Sequence, residues 1–234
     1  MKIFVFLGSP RGEESIGYKF IKLVEKNLIE MDSTNTMIIR RADEVDIKDT
    51  DGSVMDFLAG QTRFQDDMVN IEKELLESDV IILVSPVYAH NVSAHIKRFI
   101  DRLSYWLHIY RLIGKKGYIV STSSNNGNEM VNEYLSSMMQ YLGIYVIGEM
   151  SLQSEKIDSQ KVFESYARMA AKNIFLGYKS TELDIPYTQE QNFIHFQNEY
   201  RNLKKDSKEK IYWKEHGYFE VESFEELYRR EMVK

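Results

Sequence analysis

No cysteine occurs in the 234 residues, which excludes disulfides, a thiolate nucleophile and any cysteine-held zinc or iron–sulfur cluster. No apolar run approaches the roughly 20 residues that a bilayer-spanning helix needs. The amino end, MKIFVFLGSPRG, enters a turn after about six apolar or neutral positions and reads as a strand, not a signal peptide. With no signal, and no cysteine to report on the redox compartment, the cytoplasm is the expected location. Concentrated basic surface is missing too: the formal net charge is -6, with Lys and Arg scattered. That argues against a nucleic-acid partner and favours small molecules. Nucleotide and hydrolase fingerprints are likewise absent. Gly8, Gly12 and Gly17 miss the G-x-G-x-x-G spacing, no Gly-Lys-Ser/Thr follows them, and no G-x-S-x-G elbow occurs. Five histidines form neither H-E-x-x-H nor H-x-x-E-H, so no metal site is expected. Repeats and low-complexity tracts are also lacking.

What is present is an alternation of strands and helices. KIFVFL at residues 2–7 is a short apolar run suited to a strand buried on both faces of a parallel sheet. After a turn at Gly8–Gly12 the period changes: Phe20, Ile21, Val24 and Leu28 recur at helical spacing from Ser15 onward. Thr36–Ile39 is a second strand, and residues 42–66 read as an acidic loop with weak helix. DVIILVS at 79–85 is the third and central strand. From Ser93 a long helix is predicted to Arg111, with Ile96, Phe99, Ile100, Leu103 and Leu107 on one face. Gly117–Val120 and Ile144–Ile147 give strands four and five, with a helix over Met130–Leu142 between them and a closing helix over Val162–Phe175. The pattern predicts an α/β, doubly wound, five-stranded parallel sheet with right-handed crossovers.

In such a sheet ligands sit outside the carboxyl ends of the strands. The first turn, GSPRGEESIG, offers the hydroxyls of Ser9 and Ser15, the charge of Arg11 and a helix amino end to a phosphate, against the plainer reading of Ser15 as an N-cap. The second, SPVYAHNVSAHIKRFIDR from Ser85, and the third, STSSNNGNE from Ser121, lie on the same side of the sheet. Asp66 and Asp67 read as helix caps, with an acid/base or metal role as the alternative, and His90 as an exposed loop residue or a substrate contact.

GSPR at the first turn together with SPVYAHN at the second resembles the NAD(P)H-dependent FMN reductase branch of the flavodoxin-like family, over roughly residues 1–150. FQDDM at Phe64–Met68 is similar to an acidic signature that follows a compact cysteine motif in iron–sulfur flavoproteins; here every such cysteine is absent. The resemblance implies sheet order 2-1-3-4-5 and bound FMN, with NAD(P)H as donor and a quinone, flavin or other small molecule as acceptor. It puts the phosphate at Ser9, Arg11 and Ser15, and Pro86, Val87, Tyr88 and Asn91 beside the flavin ring. Tyr88 suits that role as an aromatic face, with a core tyrosine as its alternative. Thr122, Ser123, Ser124 and Gly127 would present donors to the pyrimidine edge, unless the third turn is only a solvated loop. No catalytic side chain is implied, because the flavin carries the chemistry. An electron carrier without nicotinamide turnover and a flavin-free binding module stay open.

The expected domains are 1–176, binding FMN, and a helical extension over 177–234 outside the resemblance. That extension holds Phe193, Phe196, Tyr200, Tyr212, Trp213, Tyr218, Phe219 and Phe224, too much aromatic surface to leave in water. It is expected to pack on the domain or on a second subunit, and the resemblance implies a homodimer or homotetramer.

Overall fold

The computed structural model describes residues 1–232; Val233 and Lys234, the end of the predicted extension, lie outside them. The elements run β1 (Lys2–Leu7), α1 (Ile16–Met31), β2 (Thr36–Arg41), α2 (Met55–Ala59), α3 (Met68–Glu77), β3 (Val80–Pro86), α4 (Ala94–Arg102), α5 (Ser104–Leu107) and β4 (Lys116–Ser123). They continue with α6 (Asn128–Tyr141), β5 (Tyr145–Gln153), α7 (Gln160–Lys179), α8 (Tyr187–Asn202), α9 (Lys208–Glu215) and α10 (Phe224–Met232).

The strands form one parallel sheet in the order β2-β1-β3-β4-β5, with β3 at its centre. Period-two alternation explains why both faces are apolar. Ile3, Val5 and Leu7 join the core under α1 and α7. Phe4 and Phe6 join the core under α3, α4 and α6, where Phe6 stacks on Phe99 at 4.2 Å between ring centroids. The result is the three-layer doubly wound fold expected from the sequence.

The long helix predicted from Ser93 to Arg111 is two short ones, broken at Leu103 and finished before Tyr110, which takes a left-handed φ of 45°. Its apolar stripe runs through Ile96, Phe99, Ile100 and Leu103. Arg102 and Tyr105 fall off that stripe, yet both are buried. Arg102 closes α4, and Tyr105 belongs to α5.

Arg102 reaches inward to an ion pair with Asp66, both side chains being 1% exposed or less. Its guanidinium also donates to Lys48 O at 3.0 Å and Thr62 Oγ1 at 2.8 Å, and lies over the Phe64 ring. Asp66 accepts from Met68 N, as a cap does, at 3.1 Å, and Asp67 from Asp46 N at 2.7 Å. FQDDM thus anchors the irregular segment ahead of it.

Glu72 lies in the same cluster. Burial raises its carboxyl from an ordinary 4.5 to about 7, against the opposing pull of the Tyr105 hydroxyl and the Arg102 charge. A carboxyl whose folded value is raised favours folding fully below 4.5 and loses that contribution as pH rises through about 7. Urea unfolding midpoints are therefore expected to fall across that window. Glu72→Gln should flatten the slope, and an unchanged slope in the variant would contradict the assignment.

The carboxyl-terminal segment forms a third core in which Phe193, Trp213, Phe224 and Tyr228 are fully buried with Tyr110. Trp213 Nε1 donates to His108 O at 2.9 Å, and Tyr228 Oη to Lys115 O at 2.8 Å. The aromatic surface is covered by its own chain and so supplies no argument for a second subunit. The closing helix, predicted to end at Phe175, runs on to Lys179, and a Cβ added at Gly177 would lie 2.8 Å from Ile147 of β5.

Candidate functional site

A cleft of about 680 Å³ opens at the carboxyl ends of β1, β3 and β4. Nine of the eleven residues predicted to bind the cofactor line it: Ser9, Arg11 and Ser15 from the first turn, Pro86, Val87 and Tyr88 from the second, and Thr122, Ser123 and Ser124 from the third. Asn91 and Gly127 do not line it; Asn91 is exposed and Gly127 lines a neighbouring groove. Asn91 exchanges two 3.0 Å backbone hydrogen bonds with Tyr88 and accepts on Oδ1 from Val92 N. Gly127 caps α6 at φ 82°, where an added Cβ would lie 2.6 Å from Val87. Both shape turns that other residues present.

The first turn is held by close packing. A Cβ at Gly8 would strike Ile96 at 2.3 Å, while Gly8 O accepts from Ser93 Oγ at 2.7 Å and ties the first turn to the second. Ser15 caps α1: its hydroxyl accepts from Tyr18 N at 3.1 Å and donates to Gly12 O at 2.7 Å. Its proton is thereby committed within the turn. Ser9 Oγ accepts from Arg11 N at 3.3 Å and keeps its own proton to give.

The guanidinium of Arg11 and the ammonium of Lys19, which also lines the cleft, pair with no carboxylate among the described residues. The neighbouring Glu13 is instead taken by Arg41 at 2.7 Å. At the other end the Tyr88–Asn91 turn places Ala89 and His90 at φ 50° and 59°. Two positive φ values define a tight primed turn, unusual for residues other than Gly, Asn or Asp. It holds Tyr88 at the rim with 49% of its surface exposed, not in the core.

The loop after β5 and the first turn of α7 supply a fourth wall through Ser154, Asp158, Ser159 and Phe163, none of them anticipated as site residues. Strand five was predicted to stop at Ile147; it continues to Gln153, which carries its following loop up to the cleft. Ser159 caps α7 by accepting from Val162 N. Two helix amino ends, of α1 and α7, therefore border one cleft, a positive setting that Glu14 and Asp158 on the same wall moderate.

A cation-bearing, hydroxyl-rich end and an apolar end with an available aromatic face are the two halves that a phosphorylated flavin requires. Among the described residues no helix is long and apolar enough to cross a membrane.

The chain is 27% identical over 225 residues to an iron–sulfur flavoprotein of Archaeoglobus fulgidus, covering 93% of this chain and all of that one. This likeness reaches into the carboxyl-terminal segment, which the sequence reading had left outside the resemblance. An iron–sulfur flavoprotein of Methanocaldococcus jannaschii is 30% identical over 151 residues, covering 64% of this chain and 77% of its own. Among solved structures, the NAD(P)H:quinone oxidoreductase of Methanothermobacter marburgensis superposes with a TM-score of 0.59 at 13% identity, over 75% of this chain and 97% of that one. At such identity the likeness concerns the fold. A family model described as NADPH-dependent FMN reductase matches residues 1–158, and the chain belongs to that family, a member without a single cysteine.

Proposed function

We propose that the cleft binds FMN with its phosphate toward Ser9, Arg11 and Lys19 and its ring toward Val87 and Tyr88, and that a nicotinamide nucleotide is the donor to it. The observation that carries this reading is a cleft lined both by two cations, Arg11 and Lys19, that pair with no carboxylate among the described residues and by the exposed aromatic face of Tyr88. When bound, FMN supplies a ring that takes a hydride and passes its electrons to a small acceptor. The chain's residues bind and orient. Arg11 and Lys19 neutralise phosphate charge, and the Ser9 hydroxyl donates to it. Thr122 O fixes the second turn by accepting from Val87 N at 2.8 Å, and Tyr88 offers a face for stacking. No side-chain proton donor is required for hydride transfer to the flavin.

Mixing the FMN-loaded protein anaerobically with NADPH or NADH is expected to bleach the flavin absorbance, with recovery on adding a quinone. Bleaching by dithionite but by neither nicotinamide would indicate an electron carrier instead, and failure to bind FMN at micromolar protein a flavin-free module. Iron and sulfide analysis should return no stoichiometric metal, because the chain offers no thiolate. A homodimer or homotetramer rests on family resemblance, which light scattering measures directly, and a cytoplasmic location on the amino end reading as a strand with no cysteine in the chain.

A further inference from the structure

Ile47 and Met68 are buried, but no apolar residue between them is. α2 lies in this stretch with Val54 and Leu58 exposed, and half-buried Phe57 rests against the His108 ring, 6.3 Å between centroids. What ties residues 48–66 to the helices beside them is mainly polar. Arg98 and Arg102 of α4 pair with Asp49 and Asp66. Arg102 also donates to Lys48 O and Thr62 Oγ1, and the Tyr105 hydroxyl of α5 meets the Thr62 N–H. A segment with so few buried apolar contacts opens at lower cost than the sheet it borders.

Glu72 of α3 lies against this strap. The groups that face its carboxyl are Tyr105 from α5, Arg102 from α4, and Asp66 and Asp56 from the strap itself. Arg102, the cation among them, is already committed, its two terminal nitrogens going to Asp66, Lys48 O and Thr62. Its Nε is buried with no hydrogen-bond partner, and so is Glu72 Oε1; the spare donor of one does not meet the spare acceptor of the other. With Glu72 protonated the cluster balances, Asp66 against Arg102. An ionised Glu72 adds a second negative charge beside Asp66 where water is scarce, and an unpaired buried charge is costly.

We propose that residues 48–66 are a pH-sensitive strap latched by a proton on Glu72: protonated, the carboxyl stays buried and the strap lies shut; ionised, it favours an opened strap that admits water. The inference asks nothing of the flavin reading. Burial holds the Glu72 carboxyl at about 7, and opening returns it toward the ordinary 4.5. Opening is therefore least favoured below 4.5, grows with pH between the two values and levels off above about 7. Asp66, held below its ordinary 3.8, stays ionised throughout. His108, lowered by burial and facing Glu199 and Glu209, meets the strap at Phe57 and acts with the opposite sign. The latch is accordingly read against Glu72→Gln, in which His108 is unchanged.

Hydrogen exchange of the full chain, read by mass spectrometry and corrected for intrinsic rates, measures the opening constant of peptides within 48–66. The ratio of that constant in the protein to that in Glu72→Gln is expected to rise about tenfold from about pH 5.5 to about pH 7.0. Peptides of β3 should exchange far more slowly at both pH values, which separates local opening from global unfolding. Arg98→Met removes the Asp49 tie without touching Glu72 and should raise opening by a similar factor at every pH. Three results would overturn the proposal: a ratio that does not change with pH, strap peptides that exchange no faster than β3, or a pH dependence that Arg98→Met abolishes as completely as Glu72→Gln.

Discussion

Replacing Arg11 and Lys19 together by alanine is expected to weaken FMN binding by about a hundredfold while leaving riboflavin binding nearly unchanged. Both cations line the cleft without a carboxylate partner among the described residues, so none of these diverts them from an incoming anion. A hydrogen bond to a charged group contributes about 1.5–3 kcal/mol. The cleft is open to water and Glu14 and Asp158 share its wall, so the lower figure applies to each, giving about 3 kcal/mol or two orders of magnitude. Riboflavin lacks the phosphate and serves as the internal control. Fluorescence quenching of each flavin by the flavin-free protein measures the pair of constants, and equal losses for both ligands would place the phosphate elsewhere. Added salt should shrink the difference, because the charges are screened. Ser15→Ala should behave otherwise: with the hydroxyl engaged in capping α1, its loss costs about 1 kcal/mol of stability before it costs affinity.

Breaking the Asp66–Arg102 pair is expected to have the largest effect on stability. Both side chains are excluded from water, and removing one partner strands the other charge in the interior at a cost of about 3–5 kcal/mol. Against a total stability of about 5–15 kcal/mol this is severe, and Asp66→Ala should lower the urea midpoint sharply. Replacing both, as Asp66→Ala with Arg102→Met, should recover a good part of the loss, since no lone charge remains. A double variant no better than the single would show that the pair is not what the fold depends on.

The pair has a pH signature as well. Burial alone would raise the Asp66 carboxyl, but the Arg102 guanidinium and the N–H groups of Lys48 and Met68 outweigh it, leaving the carboxyl below its ordinary 3.8. A depressed folded value means the contribution is complete above 3.8 and disappears as pH falls through the lower folded value. The acid limb of the stability profile should therefore be shallower in Asp66→Ala. Glu72, whose carboxyl is raised, shapes the neutral limb with the opposite sign.

The stretch ahead of FQDDM is held by charge. Arg63 pairs with Asp51 and Asp56 at 2.9 and 2.8 Å, and Arg102 grips Lys48 O and Thr62. Electrostatic and hydrogen-bonded closure of this kind constrains the segment.

Alternation of short apolar runs with 3.6-residue periodicity determined the strands, the doubly wound class and the positions of the turns, because each is a property of neighbouring residues. KIFVFL and DVIILVS could be little else than buried parallel strands, and the turns after them had to fall at one end of the sheet. GSPR and SPVY therefore marked two walls of the cleft, and the absence of cysteine excluded a cluster outright. Tertiary structure alone decided the rest. Whether Ser15 gives its proton to Gly12 or to a ligand, and whether Lys19 is free, depend on distances of a few ångströms around a folded turn. The burial of Arg102 answers to Asp66, 36 residues away in sequence, and the resting place of Trp213 to His108, 105 residues away. The wall contributed by the loop after β5 came from a strand extending six residues past its predicted end, up to Gln153. Local periodicity carries no information about partners so distant along the chain; only packing of the assembled layers brings them together.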